Sequence, residues 1–335
     1  IKVKFDLNKI LILTGVTALI FVISFFVWWN REITIIGANL LQNESAVKSS
    51  ISGQECVNAD RRPLAVMLAG DQETRPLAGI GQADIVFEMP VTPNGITRFM
   101  AVYQCEDPKE IGSIRSARED FLPLAAGLGA VYAHWGGEKE ALAKLGSGII
   151  DNIDALKYEG TVFYRKNSMP RPHNGFTSIE LLWDKAGLLG YASEDDFKGY
   201  PHGNTEAKRN LSNLVSSIDI DYPGQYKVGW QYDEQTNSYL RFRGDSQERD
   251  NNSGEQVGVR SVVVMKTTSS VLNKDYIRVN VAGQGEAIIY QNGSMMSGTW
   301  KKDTSQLSSK LYFYDTKGEE VKFVPGKIWV QITTN

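Results

Sequence analysis

Histidine and cysteine are scarce in these 335 residues: His134, His173 and His202 are the three histidines, and Cys56 and Cys105 the two cysteines. Neither cysteine has C-x-x-C spacing, which speaks against a redox motif and a zinc knuckle. His134 and His173 stand too far apart for a metal signature, so no metal and no cofactor is assigned. Basic excess is missing as well. Lysine and arginine number 36 against 39 acidic residues, a net charge of -3, which removes the electrostatic basis for nucleic-acid binding. The chain has no G-x-x-x-x-G-K-[ST], no G-x-G-x-x-G, no G-x-S-x-G and no H-E-x-x-H, so the best-known nucleotide, hydrolase and metalloprotease sites lack their signatures.

Uncharged sequence is plentiful in one place only. Residues 10–29, ILILTGVTALIFVISFFVWW, carry no charge, and at 1.5 Å per helical residue they would span roughly 30 Å, the hydrocarbon thickness of a bilayer. The run ends in Trp28-Trp29 rather than in the small residues of a signal-peptide cleavage site, and no cysteine follows it closely for lipid attachment. It reads as an uncleaved single-pass membrane anchor. Lys2, Lys4 and Lys9 precede it, so residues 1–9 are expected to be a cytoplasmic tail and the main body extracytoplasmic. Both cysteines then fall on the oxidising side, where a Cys56–Cys105 disulfide is favoured over two separate thiols.

Residues 30–60 are polar and read as a stalk. Beyond them the patterns predict strands at 64–69, 83–88, 96–104, 130–134 and 162–164, interleaved with helices. Two helices are announced by capping boxes, Ser116-Ala117-Arg118-Glu119 and Thr177-Ser178-Ile179-Glu180, and a third is expected over 138–145. An α/β domain over 61–218 follows. From 222 to 335 only strand and turn signals occur: 226–232, 239–243, 257–266, 276–281, 287–290, 311–314, 321–324 and 328–332. This predicts an all-β domain, sandwich or barrel-like.

Chemistry-bearing residues gather at predicted strand ends. His134 closes a strand just before Trp135-Gly136-Gly137, and strand-to-helix loops are where α/β sheets collect their sites. His173 and Asn174 precede the second capped helix, whereas His202 reads as surface loop. Arg115 and Arg118 flank the first capping box, with Arg98 and Arg165 at other strand ends. Guanidinium groups near unpaired backbone N–H groups suit a carboxylate or a phosphate. The alternative is structural, with the arginines pairing to Asp84, Glu88 or Glu119.

Taken in order, these motifs resemble the YerB-like family, bacterial extracytoplasmic proteins whose two domains are classed as domains of unknown function (family 3048). The likeness rests on Arg62-Pro63-Leu64-Ala65-Val66-Met67, Ala83-Asp84-Ile85-Val86-Phe87-Glu88 and Gly95-Ile96-Thr97-Arg98-Phe99. It continues through Ile114-Arg115-Ser116-Ala117-Arg118, His134-Trp135-Gly136-Gly137, Phe163-Tyr164-Arg165 and Pro172-His173-Asn174. In the second half, Gly298-Thr299-Trp300-Lys301-Lys302 and Pro325-Gly326-Lys327-Ile328-Trp329 match. The resemblance implies an α/β first domain and a β-rich second one, and supplies no activity. Where family members usually carry Glu-Gly-Gly before Ile-Thr-Arg, this chain has Thr92-Pro93-Asn94-Gly95, so any role of that glutamate is lost or falls to Glu88. Many relatives are lipid-anchored; here a protein segment takes that place.

Two functions fit. In one, the protein binds an anionic envelope ligand or scaffolds an envelope partner, with Arg98, Arg115, Arg118, Arg165 and Asn174 holding the ligand and Trp230, Trp300 and Trp329 of the β-rich domain available for contact. In the other, a cell-wall hydrolase or transferase uses His134 or His173 as acid or base, oriented by Asp84 or Glu88, and these histidines converge on one cleft with Arg118.

Overall fold

The computed structural model describes residues 21, 22, 24–29, 47–203 and 214–334. The chain divides into two compact units, Ile1–Val47 and Lys48–Asn335. In the first, residues 21, 22 and 24–29 are helical, and the Phe25 ring lies 6.2 Å from Trp28 and 5.8 Å from Trp29. The rest of the 10–29 run, the tail before it and residues 30–46 lie outside the described residues. Among the described residues no helix is long and apolar enough to cross a membrane.

In the second unit, residues 48–60 are packed onto the body rather than standing off as a stalk. Ile51 and Ser52 are fully buried, Ser49 donates to Gln104 Oε1 at 2.6 Å, and a disulfide joins Cys56 to Cys105 with 5.6 Å between the Cα atoms. Polar composition misled here because serines can lie inside when their hydroxyls find partners.

The first half of the body supplies β1 (Leu64–Ala69), β2 (Ile85–Pro90), β3 (Thr97–Tyr103), β4 (Ile111–Gly112), β5 (Val131–His134), β6 (Asn152–Asp154), β7 (Tyr164–Arg165) and β8 (Gly175–Thr177). Its helices are α1 (Leu122–Gly127), α2 (Lys139–Gly146), α3 (Ala155–Tyr158) and α4 (Ile179–Leu188). The second half adds β9 (Ser217–Ile220), β10 (Val228–Asp233), β11 (Ser238–Arg243), β12 (Ser246–Gln247), β13 (Gly258–Val259) and β14 (Ser261–Thr267). It ends with β15 (Ser269–Val271), β16 (Ile277–Val279), β17 (Gly283–Gln291), β18 (Ser294–Lys302), β19 (Tyr312–Asp315) and β20 (Ile328–Thr334).

Ten of these strands form one sheet in the order β19-β18-β17-β14-β20-β2-β3-β1-β5-β6. The last strand, β20, lies parallel to β14 on one side and to β2 on the other. The second half therefore does not close into a sandwich or barrel of its own; five of its strands extend the sheet begun by the first half. Covered on both faces, the central strands read as continuous apolar runs: every residue of β1, β2 and β3 is buried. One face packs Met67, Phe87 and Met100 against α1, α2 and Phe313; the other packs Leu68, Val86 and Phe99 against α4 and the smaller β9–β12 sheet. Trp230, Trp300 and Trp329 are at most 1% exposed, with Trp230 and Trp329 edge-to-face at 5.3 Å. They belong to the core and offer no surface to a partner.

Two local differences have plain causes. The first predicted helix starts where expected but without its capping box: Arg118, not Ser116, is the extended cap residue and makes no side-chain cap. A 3-10 turn runs over Glu119–Phe121, and α1 follows from Leu122, where Pro123 suits the first turn. Residues 114–117 instead bridge Leu68 and Gly137 as irregular strand. The strand β18 has no apolar alternation that could announce it, since SMMSGTWKK is largely exposed; its nine-residue ladder with β17 holds it. By contrast, the second cap forms one residue later than Thr177, with Ser178 accepting from Leu181 N–H.

Candidate anion site at the strand ends

Strands β1 and β5 run parallel from Leu64–Val131 to Val66–Ala133 and then part. Residues 114–117 wedge into the gap. Arg115 N–H donates to Met67 O at 2.9 Å, Trp135 N–H to Arg115 O at 3.0 Å and Ala117 N–H to Gly136 O at 2.9 Å. The carboxyl ends of parallel strands are the usual ligand position in α/β sheets, and this wedge delivers Arg115 and Arg118 there. Arg98 arrives from β3, opposite Ala69 at the end of β1.

The three guanidiniums are poorly matched with counter-charge. Arg98 is 3% exposed, and among the described residues its guanidinium makes one hydrogen bond, from Nη1 to Ser116 O at 3.2 Å. Arg118 is buried, donates to Ala117 O at 2.9 Å and lies 4.7 Å from the Tyr276 ring centroid. Arg115 has one ion pair, at 3.5 Å to Asp71 Oδ2. In all three the Nε is shielded from solvent and has no hydrogen-bond partner, and neither Arg98 nor Arg118 has an ion-pair partner among the described residues. Burial, then the positive charges of Arg118 and Arg115, hold Arg98 well below the usual guanidinium value. Burial also lowers Arg118. Burial raises the Tyr132 hydroxyl in the same field. Protonated cations without partners in a dry setting are an electrostatic demand for an anion.

The second half of the chain roofs this site. The β15–β16 hairpin places Tyr276 over Arg118, and Asp120 fastens it, accepting from Val279 N–H at 2.8 Å and pairing with Arg278 at 3.1 Å. Burial raises Asp120 to about 6. Glu119, expected in a capping box, pairs instead with Lys144 and, at 2.7 Å, with Arg278.

The remaining sequence candidates divide. His173 joins the site: it, Asp71 and Glu73 each offer one ligand atom, and these atoms lie within 4.8 Å of one another. Arg165 and Asn174 bond to each other at 2.9 Å, while Arg165 also pairs with Glu159 at 2.7 Å and stacks 4.0 Å from the Trp135 ring centroid. Arg165 therefore has its counter-charge already. His134 is fully buried, with Nδ1 2.7 Å from Gly136 O and Nε2 3.4 Å from Asn152 Oδ1; burial lowers its pKa. The short Nδ1 contact to Gly136 O takes the one N–H of a neutral ring, and neither contact reaches the arginines.

Neither carboxylate expected to orient a histidine does so. Asp84 accepts from the backbone N–H groups of Gln104 and Cys105 at 2.7 and 3.0 Å, tying the end of β3 beside the disulfide. Glu88 is fully buried between the two sheets, its oxygens 2.7 Å from Arg241 Nη2 and 2.8 Å from Arg243 Nη2. Glu248 completes a four-charge network, 2.6 Å from Arg241 Nε. Burial pushes both glutamates up, but the two arginines outweigh it and hold Glu88 below its ordinary value and Glu248 at about 2. His202 is half-buried against Gly53 and bridges Phe323, so it is not a free surface loop.

Asp71, Glu73, Tyr132 and Tyr276 were not singled out from sequence. Only Asp71 had a signal, following Gly70 at the end of the first apolar strand.

Residues 51–192 match the family model described as protein of unknown function (DUF3048), N-terminal domain, and residues 218–330 match its C-terminal domain. The chain belongs to this family. A curated relative in it, named "Putative lipoprotein YerB" from Bacillus subtilis, is 27% identical over 277 residues, covering 82% of this chain and 81% of that protein. The crystal structure of YerB from Bacillus subtilis superimposes with a TM-score of 0.77 at 25% identity, covering 86% of this chain and 97% of the other. The DUF3048 body is thus the unit in which the arginine cluster, the hairpin roof and the shared sheet occur together.

Proposed function

We propose that this DUF3048 protein binds a phosphate- or carboxylate-bearing ligand through Arg98, Arg115 and Arg118 at the outer face of a bacterial membrane, without turning it over. One observation carries the ligand class: two buried guanidiniums, Arg98 and Arg118, and a half-buried one, Arg115, have shielded Nε atoms without partners, with Asp71 the single carboxylate in ion-pair reach among the described residues. Rigid guanidinium forks match planar or tetrahedral oxyanions through paired charge-assisted hydrogen bonds. Calorimetric titration of the full-length protein in detergent with inorganic phosphate and with citrate tests it. Saturable one-site binding of either anion is expected, weakened about tenfold or more in Arg118→Met. Absence of heat with both anions, or equal affinity in the variant, contradicts it. A cell-wall hydrolase built on His134 is less well supported, because that ring is fully buried and its Nδ1 is held by Gly136 O.

The location rests on three supports: the uncharged run at 10–29, a disulfide of the kind oxidising compartments permit, and a relative whose name calls it a lipoprotein. Residues 10–29 act as a single-pass anchor in this proposal, with residues 48–335 outside. Protease added to intact spheroplasts should digest the body; protection of the body with loss of only the first few residues would place it in the cytoplasm instead. A scaffold role through the β-rich half needs surface substitutions for its test. Removing residues 222–335 would take away β20 and expose the edge of β2.

A further inference from the structure

We infer that Asp71, Glu73 and His173 form a binding site for a divalent transition-metal ion, Zn2+ or Mn2+, beside the arginine cluster. Their three ligand atoms lie within 4.8 Å of one another. Donors sharing one ion at metal–ligand distances of about 2.0–2.2 Å stand roughly 3–4.4 Å apart, so the group is close to ligating geometry before any ion arrives.

Two further observations point to a missing occupant. His173 Nδ1 is shielded from solvent and has no hydrogen-bond partner, and Asp71 Oδ2 is in the same state within a residue only 9% exposed. A shielded imidazole nitrogen and carboxylate oxygen left unpaired are costly, and one cation between them satisfies both. Arg115 stands 3.5 Å from Asp71 Oδ2, an ion pair without a hydrogen bond, so it leaves that oxygen a lone pair to give.

The backbone holds these ligands in place. A Cβ at Gly70 would meet Thr97 O at 2.2 Å, so only glycine lets the chain leave β1 along this path into Asp71. Thr74 Oγ1 donates to Asp71 O at 2.6 Å, closing the turn that carries Glu73. His173 N–H donates to Pro170 O at 2.9 Å, and Ile114 N–H to Gly175 O at 2.8 Å docks that loop against the arginine wedge.

The donor set selects the ion. Oxygen ligands alone would suit Ca2+ or Mg2+, whereas an imidazole with two carboxylates suits Zn2+ or Mn2+. Three protein ligands leave coordination positions open, and an oxyanion held by the arginines can complete them. That last coupling rests on the anion-binding proposal; the metal site itself does not.

The test uses tag-free full-length protein in detergent, stripped with EDTA and titrated calorimetrically with ZnCl2 or MnCl2 alone. One ion per chain is expected. His173→Ala and Glu73→Gln should weaken it about tenfold or more while melting as the wild type does in EDTA, and Arg118→Met should bind the ion like the wild type. No saturable binding of either ion, or unchanged affinity in both ligand variants, overturns the site. Metal binding that survives in Arg118→Met while phosphate binding is lost separates the two proposals.

Discussion

Glu88→Ala is expected to destabilise the body by about 3–5 kcal/mol, the cost of leaving buried charges without their partner. Glu88 binds Arg241 and Arg243, which are 0% and 5% exposed, at 2.7 and 2.8 Å, and only Glu248 would remain for both. The network also joins the two halves, since Glu88 lies on β2 and both arginines on β11. Urea denaturation at pH 7 measures the effect, and a loss below about 1 kcal/mol would mean that the charges relax into solvent. The sign of the pH dependence follows from the lowered carboxylates. Glu88 and Glu248 have folded values below the ordinary 4.5, Glu248 near 2, so their stabilisation is complete above about pH 4.5 and is lost as pH falls toward 2. A Glu88→Gln protein should show a shallower loss of stability over that window.

Arg98→Met is expected to do the opposite to stability while abolishing anion binding. The guanidinium is buried with one hydrogen bond and no ion-pair partner among the described residues, and an apolar chain of similar length removes a desolvated cation. Without ligand, the variant should be more stable than the wild type by about 1–3 kcal/mol. Its affinity for phosphate should fall about tenfold or more. Paired melting and titration measurements decide it: destabilisation of the same size would show that Arg98 serves the fold rather than a ligand. Such an exchange of stability for binding is the usual mark of a functional residue held against its own preference.

The apolar strands were legible because central strands buried on both faces are continuous hydrophobic runs; β1 starts and ends where the pattern of LAVMLA does. What joins the halves was not legible. Nothing in the residues of β20 tells that it pairs with β2, more than two hundred positions earlier, because strand partners are chosen by burial across the whole sheet. The arginines stood out through their type and their place at strand ends. That Arg98 and Arg118 lack an ion-pair partner among the described residues became visible only when Glu88, a natural partner by proximity in sequence, proved to be bound to Arg241 and Arg243. Likewise His173 and Asp71 are a hundred residues apart, and only the docking of the β8 loop on the wedge brings them together. His134 looked catalytic by position and is structural by its bonds, a distinction that strand-end placement alone cannot make.

The claim on which the rest depends is that the three partnerless arginine Nε–H groups are the anion's donors. Nitrogen-15 NMR of the arginine side chains, followed during titration with inorganic phosphate at constant ionic strength, observes those groups directly. The Nε–H resonances of Arg98, Arg115 and Arg118, assigned by single substitutions, should move together and saturate with one dissociation constant, while that of Arg241, already bound to Glu248, stays still. Resonances that remain in place for all three, or drift without saturating like those of exposed arginines, would contradict the account.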